Sequence, residues 1–167
     1  MDDGELVRAA RRGDREAAAA LFRRHWPAAW RAAYGVTGRR ALADDVAADA
    51  FERAFAALGR FDDRRPFRPW LHRIVVNRAL DLLRTERRLA GEVELEAAAE
   101  ADDGDRALLE AVAALPPQRR AVVILRYGIG MGAEEIATVL DLPVGTVHSR
   151  LARALEQLRG VRDLERS

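Results

Sequence analysis

The sequence predicts an all-α protein built as two small helical domains joined by a flexible acidic linker. Three observations carry that expectation. Apolar residues recur at helical spacing along most of the chain. No alternating apolar–polar run with a hairpin turn stands out. Between the two periodic parts, AGEVELEAAAEADDGD at 90–105 is small and acidic, with too little apolar surface to pack. The domains are therefore expected at 1–89 and 106–167, the second carrying a helix-turn-helix.

The elements follow in order. Asp14 is a natural N-cap for a helix through ALFRRHWPAAWRAAY, with Pro27 bending it. Gly35 to Arg40 reads as a turn. Residues 41–58, ALADDVAADAFERAFAAL, form a second helix closed by Gly59. It turns Ala47, Ala50, Phe51, Ala54 and Leu58 inward, and Asp44, Asp45, Asp49, Glu52 and Arg53 outward. After the loop GRFDDRRPFRP, Trp70 to Arg88 is a long helix that buries Leu71, Ile74, Val75, Ala79 and Leu82. Its outer side presents Arg73, Asn77, Arg84, Arg87 and Arg88. Beyond the linker, Arg106–Leu115 is helical, Pro116 and Pro117 start a helix through QRRAVVILRY, GIGMG turns, and a helix pair follows.

That last pair has the helix-turn-helix arrangement. Ala133–Leu140 is the supporting helix, Asp141 to Pro143 the turn, and Val144 onward the second helix. Ala137 is small where the helices must touch, and Val147 fills the core ten positions later. The turn requires a positive φ, and Asp141 adopts that region more readily than most residues. On the second helix Val147, Leu151, Ala154, Leu155 and Leu158 share one side. Gly145, Thr146, Ser149, Ala152, Arg153 and Glu156 share the other, with His148 and Arg150 flanking. Short residues let the backbone approach closely, and the donors beside them suit a helix lying in the major groove of DNA.

The N-terminal part has its own chemistry. FDDRRPFRPW sets Arg64 and Arg65 among Phe61, Phe67 and Trp70. Interleaved arginines and aromatics suit unpaired bases, each stacked base contributing about 1–3 kcal/mol. Taken singly, Phe67 and Trp70 could equally cap a helical core. The acidic face at 41–58 is either a docking face for a protein or a solvated one.

The net charge of +1 conceals segregation. Residues 1–91 carry 19 basic and 13 acidic side chains, residues 92–105 none and seven, and residues 106–167 nine and seven. All 28 basic residues are arginine, a bias that fits phosphate recognition or genomic composition alike. Without cysteine or lysine there is no thiol nucleophile, Schiff base or phosphate-loop lysine, so an enzyme is not expected. His25, His72 and His148 are scattered, which argues against a metal site, and no cofactor is implied. No run of about 18 apolar residues exists to insert into a membrane. The acidic N-terminus lacks the order of a signal peptide, so a cytoplasmic protein is expected.

Together these stretches resemble the extracytoplasmic-function sigma factors of bacterial RNA polymerase, in the sigma-70 family. ADDVAADAFERAFAAL looks like their polymerase-binding helix. PFRPWLHRIVVNRALDLLRTERR looks like their −10 element segment, and LPPQRRAVVILRYGIGMGAEEIATVLDLPVGTVHSRLARALEQLR like their −35-binding domain. The resemblance implies a subunit that gives core RNA polymerase its promoter choice, touching the β′ clamp helices and the β flap. It places Asp45, Asp49 and Arg53 on the clamp-docking face. Phe61, Arg64, Arg65, Phe67, Trp70, Arg73, Asn77 and Arg84 would bind and open the −10 DNA, the Phe61–Pro69 loop capturing a flipped base. Arg119, Thr146, His148, Ser149, Arg150 and Arg153 would engage the −35 element, with Arg119 and Arg150 near the backbone. An anti-sigma protein is the further partner implied.

Three positions depart from the family pattern. Ala48 stands where glutamine is common in the docking helix. Gly132-Ala133 replaces Ser-Tyr ahead of the supporting helix and removes an N-cap. Ala152 offers no side chain to bases. The family also implies a linker that threads the polymerase cleft, where seven acids could mimic nucleic acid. The competing reading is a helix-turn-helix regulator that binds palindromic half-sites as a dimer, but it has no need of a strand-opening segment.

Overall fold

Residues 1–90 and 103–166 are described by the computed structural model. Their helices are α1 (Asp3–Arg11), α2 (Arg15–Thr37), α3 (Arg40–Ala57), α4 (Phe67–Ala90), α5 (Asp103–Ala113), α6 (Pro117–Val123), α7 (Ala133–Leu140) and α8 (Val144–Arg166). A 3₁₀ turn at Leu58–Arg60 and a π turn at Ile124–Gly128 complete the elements, and no strand occurs among the described residues. Most of the expected linker lies outside the described residues. Helices reach into both ends of the 90–105 span, at Ala90 and Asp103.

Local chemistry starts the N-terminal helices. Asp2 accepts from the Glu5 backbone N–H while Glu5 accepts from that of Asp2, both at 2.8 Å, a reciprocal cap for α1. Asp14 caps α2 as expected, accepting from the backbone of Glu16 and Ala17 at 3.0 and 3.2 Å. The turn expected from Gly35 begins later, because α2 continues to Thr37 and closes on Gly38 at φ 69°. α2, α3 and α4 pack around Leu21, Val36, Val46, Phe51, Leu71 and Val75. α4 also buries His72 and Val76, two positions beyond its expected apolar stripe. α2 covers that side, with the Ala28 backbone against His72, while α7 packs on α4 along Trp70 and Arg73.

The C-terminal unit forms around Leu125, Met131, Ile136, Val139 and Val147. A smaller cluster of Leu115, Val123 and Ala154 joins α6 to α8. Pro117 opens α6 at its first position, where its missing N–H costs nothing. QRRAVVILRY is not one regular helix, since the ladder widens to π spacing at Ile124.

The two units share one continuous buried cluster, from Leu6 in α1 to Val147 in α8. α4 packs on α7 as extensively as on its own neighbour α3. Gly35 lies so close to the π turn that a Cβ there would stand 2.7–2.8 Å from three carbons of Ile124. Glycine inside α2 is thus the residue this contact needs. Arg120, 5% exposed, donates to the Val36 carbonyl of α2 and to the carbonyls of Ala113 and Leu115, at 2.8 and 3.0 Å. Arg68 reaches the other way, donating to the Ile129 carbonyl at 3.0 Å.

Burial holds the His72 imidazole down at about 4, with Nδ1 donating to the Arg68 carbonyl at 3.0 Å. The unfolded chain takes up this proton near pH 6.5, the folded chain only near pH 4. Stability is therefore complete above pH 6.5 and falls by up to about 3 kcal/mol as the pH drops through that window. Urea midpoints at pH 7 and pH 5 check this; His72→Gln should flatten the dependence.

Candidate nucleic-acid interface

The helix-turn-helix has the expected bounds. Asp141 sits at φ 53°, ψ 52°, where a side chain without local hydrogen bonding is disfavoured. The Leu142 N–H donates to the Ala137 carbonyl at 3.0 Å and closes the turn. Val147 is fully buried beneath it. Gly132 supplies no side-chain cap to α7, the deficit expected from the Gly132-Ala133 departure. At the start of α8 the first free backbone N–H groups put partial positive charge where an anion would approach.

The outer face of α8 gathers most of the expected −35 residues. His148, Ser149, Ala152 and Arg153 are exposed, and Thr146 and Arg150 half-buried. Ser149 Oγ donates back to the carbonyls of Gly145 and Thr146 at 3.2 and 3.3 Å, so its lone pairs face outward. Arg119 comes from α6 and touches Gln157 at 3.5 Å, one turn beyond Arg153. A cation thus flanks the groove-facing residues where a duplex backbone would run.

On α4, Trp70, Arg73, Asn77 and Arg84 lie along one line at helical spacing. Asn77 and Arg84 are exposed, the latter paired with Asp81 at 3.4 Å. Trp70 is half-buried, its ring 4.5 Å from that of Phe61 and 5.7 Å from Phe67. The loop aromatics pack inward. Phe61 and Phe67 are 6% and 3% exposed and meet edge-to-face at 5.9 Å, so in this structure they support Trp70. Arg64 and Arg65 project beside them into solvent. Arg64 forks onto Asp62 at 2.9 and 3.1 Å and holds that carboxyl below its usual range.

The acidic face of α3, where docking is expected, divides. Asp44 accepts from the Trp30 indole at 2.7 Å, and Asp49 sits between Arg53 at 3.0 Å and Arg78 at 2.8 Å. Asp49 therefore also ties α3 to α4. Asp45 and Glu52 are exposed without an ion-pair partner among the described residues. The sequence reading missed Arg68, Arg120 and the pairing of Arg73 with Asp141, 3.6 Å apart. No spacing signals them, because each joins elements far apart in the chain. Among the described residues no group of acids and histidines could hold a metal, and no helix is long and apolar enough to cross a membrane.

Residues 21–89 match the family described as Sigma-70 region 2, and residues 105–158 that described as Sigma-70, region 4. The RNA polymerase sigma factor CnrH of Cupriavidus metallidurans is 33% identical, the match covering 98% of this chain and 95% of that protein. The ECF RNA polymerase sigma factor SigW of Bacillus subtilis is 28% identical, covering 95% and 96%. For the ECF RNA polymerase sigma factor SigE of Mycolicibacterium smegmatis, 34% identical, the chain spans 59% of the relative's length. The solved structure of CnrH in complex with the cytosolic domain of CnrY superposes at a TM-score of 0.80 over 97% of both chains, at 33% identity.

The packing separates supporting aromatics from exposed cations. Phe61→Ala should cost about 3–5 kcal/mol of stability, whereas Arg64→Ala should stay within about 0.5 kcal/mol. Urea unfolding of both variants measures the contrast.

Proposed function

This chain belongs to the extracytoplasmic-function sigma factors of the sigma-70 family, and we propose how its two surfaces direct core RNA polymerase to promoters. The supporting observation is the α7–turn–α8 geometry, with short residues and donors on the face opposite Val147. α8 enters the major groove of the −35 element. Arg153 reads a base edge there, a bidentate guanine contact contributing about 1–3 kcal/mol of discrimination. Thr146, His148 and Ser149 supply shorter contacts. Arg119 and Arg150 hold the backbone, positioning without specifying sequence.

The line from Trp70 through Asn77 to Arg84 takes the −10 element. Trp70, standing on Phe61 and Phe67, offers its free face to a base that leaves the stack. Arg64, Arg65, Arg73 and Arg84 neutralise the phosphates of the opened strand. Phe61 and Phe67 then act through Trp70. Asp45 and Arg53 meet the β′ clamp helices, with Asp49 holding α3 against α4. The 1–89 part thus serves polymerase and −10 DNA, and the 106–167 part serves −35 DNA and the β flap. An anti-sigma protein is the regulating partner, the protein is cytoplasmic, and it performs no catalysis and needs no cofactor of its own.

Run-off transcription from a promoter library, with and without core polymerase, tests the assignment. Discrete starts that require both proteins are expected; tight palindromic binding without polymerase, and no starts with it, would identify an autonomous regulator instead. Within active promoters, Arg153→Ala should relax preference at a single −35 position by roughly tenfold or more. A loss equal across all sequences would reassign Arg153 to phosphate.

A further inference from the structure

α1 lies ahead of the residues that match Sigma-70 region 2, yet its last turn reaches the loop beside Trp70. The helix is first anchored on α2. Leu6, Val7 and Ala9 are buried, and Asp3 accepts from Arg24 Nη1 at 2.7 Å and meets His25 Nε2 at 2.8 Å. With its start held, the arginines near its end have a defined reach. Arg11 Nε donates to the Leu58 carbonyl at 2.8 Å in a part-buried bond, and its Nη1 stands 3.8 Å from Asp63 Oδ1. Arg8 Nη1 donates to Asp63 Oδ2 at 3.2 Å. The Leu58 carbonyl also accepts from the Phe61 N–H at 3.3 Å. One guanidinium therefore touches the chain on both sides of Phe61, the ring on which Trp70 stands 4.5 Å away. Asp62 turns the other way, accepting from the Arg64 N–H at 3.1 Å and from Arg64 Nε at 2.9 Å. The paired acids of FDDRR are thus divided, Asp63 toward α1 and Asp62 toward Arg64.

We propose that Arg11 is a positioning residue for −10 recognition, clamping the loop from α1 at Leu58 and Asp63 and so fixing the support beneath Trp70. The inference rests on the reading in which Trp70 and this loop take the −10 strand. Residues 61–66 lie between the 3₁₀ turn and α4, with no helical ladder of their own. Such a segment loses conformational freedom when it orders around a ligand, and affinity is reduced by the fraction of chain in the competent arrangement. The clamp orders the loop before DNA arrives. A planar fork suits this task, because Nε and Nη1 address two acceptors at once, which an ammonium does not match. The Arg8–Asp63 pair is the lesser part, since the Arg8 side chain is half solvated. Arg11 carries the contact.

Hydrogen exchange of the full chain tests the clamp without DNA. Arg11→Ala and Asp63→Ala should each speed exchange of the backbone N–H groups at 61–65 by at least about threefold. Arg12→Ala removes the same charge from an exposed neighbour and should leave that exchange unchanged. Transcription with core polymerase from a library varied at both promoter elements tests the consequence. Arg11→Ala should weaken selection within the −10 element by at least about threefold and leave selection within the −35 element as it was. Adding Asp63→Ala should weaken it no further, because both changes break one contact. Unchanged exchange in Arg11→Ala, faster exchange with −10 selection intact, or an equal effect of Arg12→Ala would each overturn the proposal. So would an equal loss at both elements, the mark of general destabilisation. Trp70→Ala separates the clamp from the reading beneath it. Intact −10 selection in that variant would count against the loop's part in DNA recognition, while the exchange result would still decide whether Arg11 orders the loop.

Discussion

The arrangement of the whole molecule depends on one buried cation. Arg120 carries its guanidinium into a place where burial pulls it below its ordinary pKa, and no carboxylate among the described residues neutralises it. Three carbonyls do so instead. Val36 lies in the last turn of α2, Ala113 in that of α5, and Leu115 in the connection to α6. Helix C-termini carry unsatisfied carbonyls and partial negative charge, so a single planar fork answers two ends at once. An ammonium could not span them with comparable geometry. Because one end is in the N-terminal unit and the other in the C-terminal unit, the same group that completes the C-terminal core also fastens it to α2.

The surfaces proposed to read DNA share a second economy, in which positions needed for close approach are small. Asp141 takes a left-handed conformation that glycine would accept freely, yet its carboxylate also meets Arg73. The turn residue therefore shapes the motif and also touches α4 through an exposed pair. Asp49 is comparable, lying half-buried on the face proposed for docking and at the same time pairing with Arg78 of α4.

Local pattern made much of this legible in advance. The α7 and α8 bounds, the positive φ at Asp141 and the missing cap at Gly132 all follow from signals within a few residues. The spacing of Asp2 and Glu5 also caps α1, a helix that the sequence reading missed. What periodicity could not reveal is contact between distant segments. Gly35 looks like a helix breaker until Ile124 is set against it. His72 and Val76 fall outside the expected apolar stripe of α4, and only packing against α2 accounts for the buried His72. Phe61 and Phe67 matched the composition of a base-stacking loop, and only packing distinguishes a ring that stacks on DNA from one that supports its neighbour.

Coupling between the two surfaces then follows from linkage. A ligand that contacts α4 where α7 lies must separate them, and a ligand that grips both units together must hold them closed. The close approach of Ile124 to α2 and the reach of Arg120 hold the two units together in this arrangement.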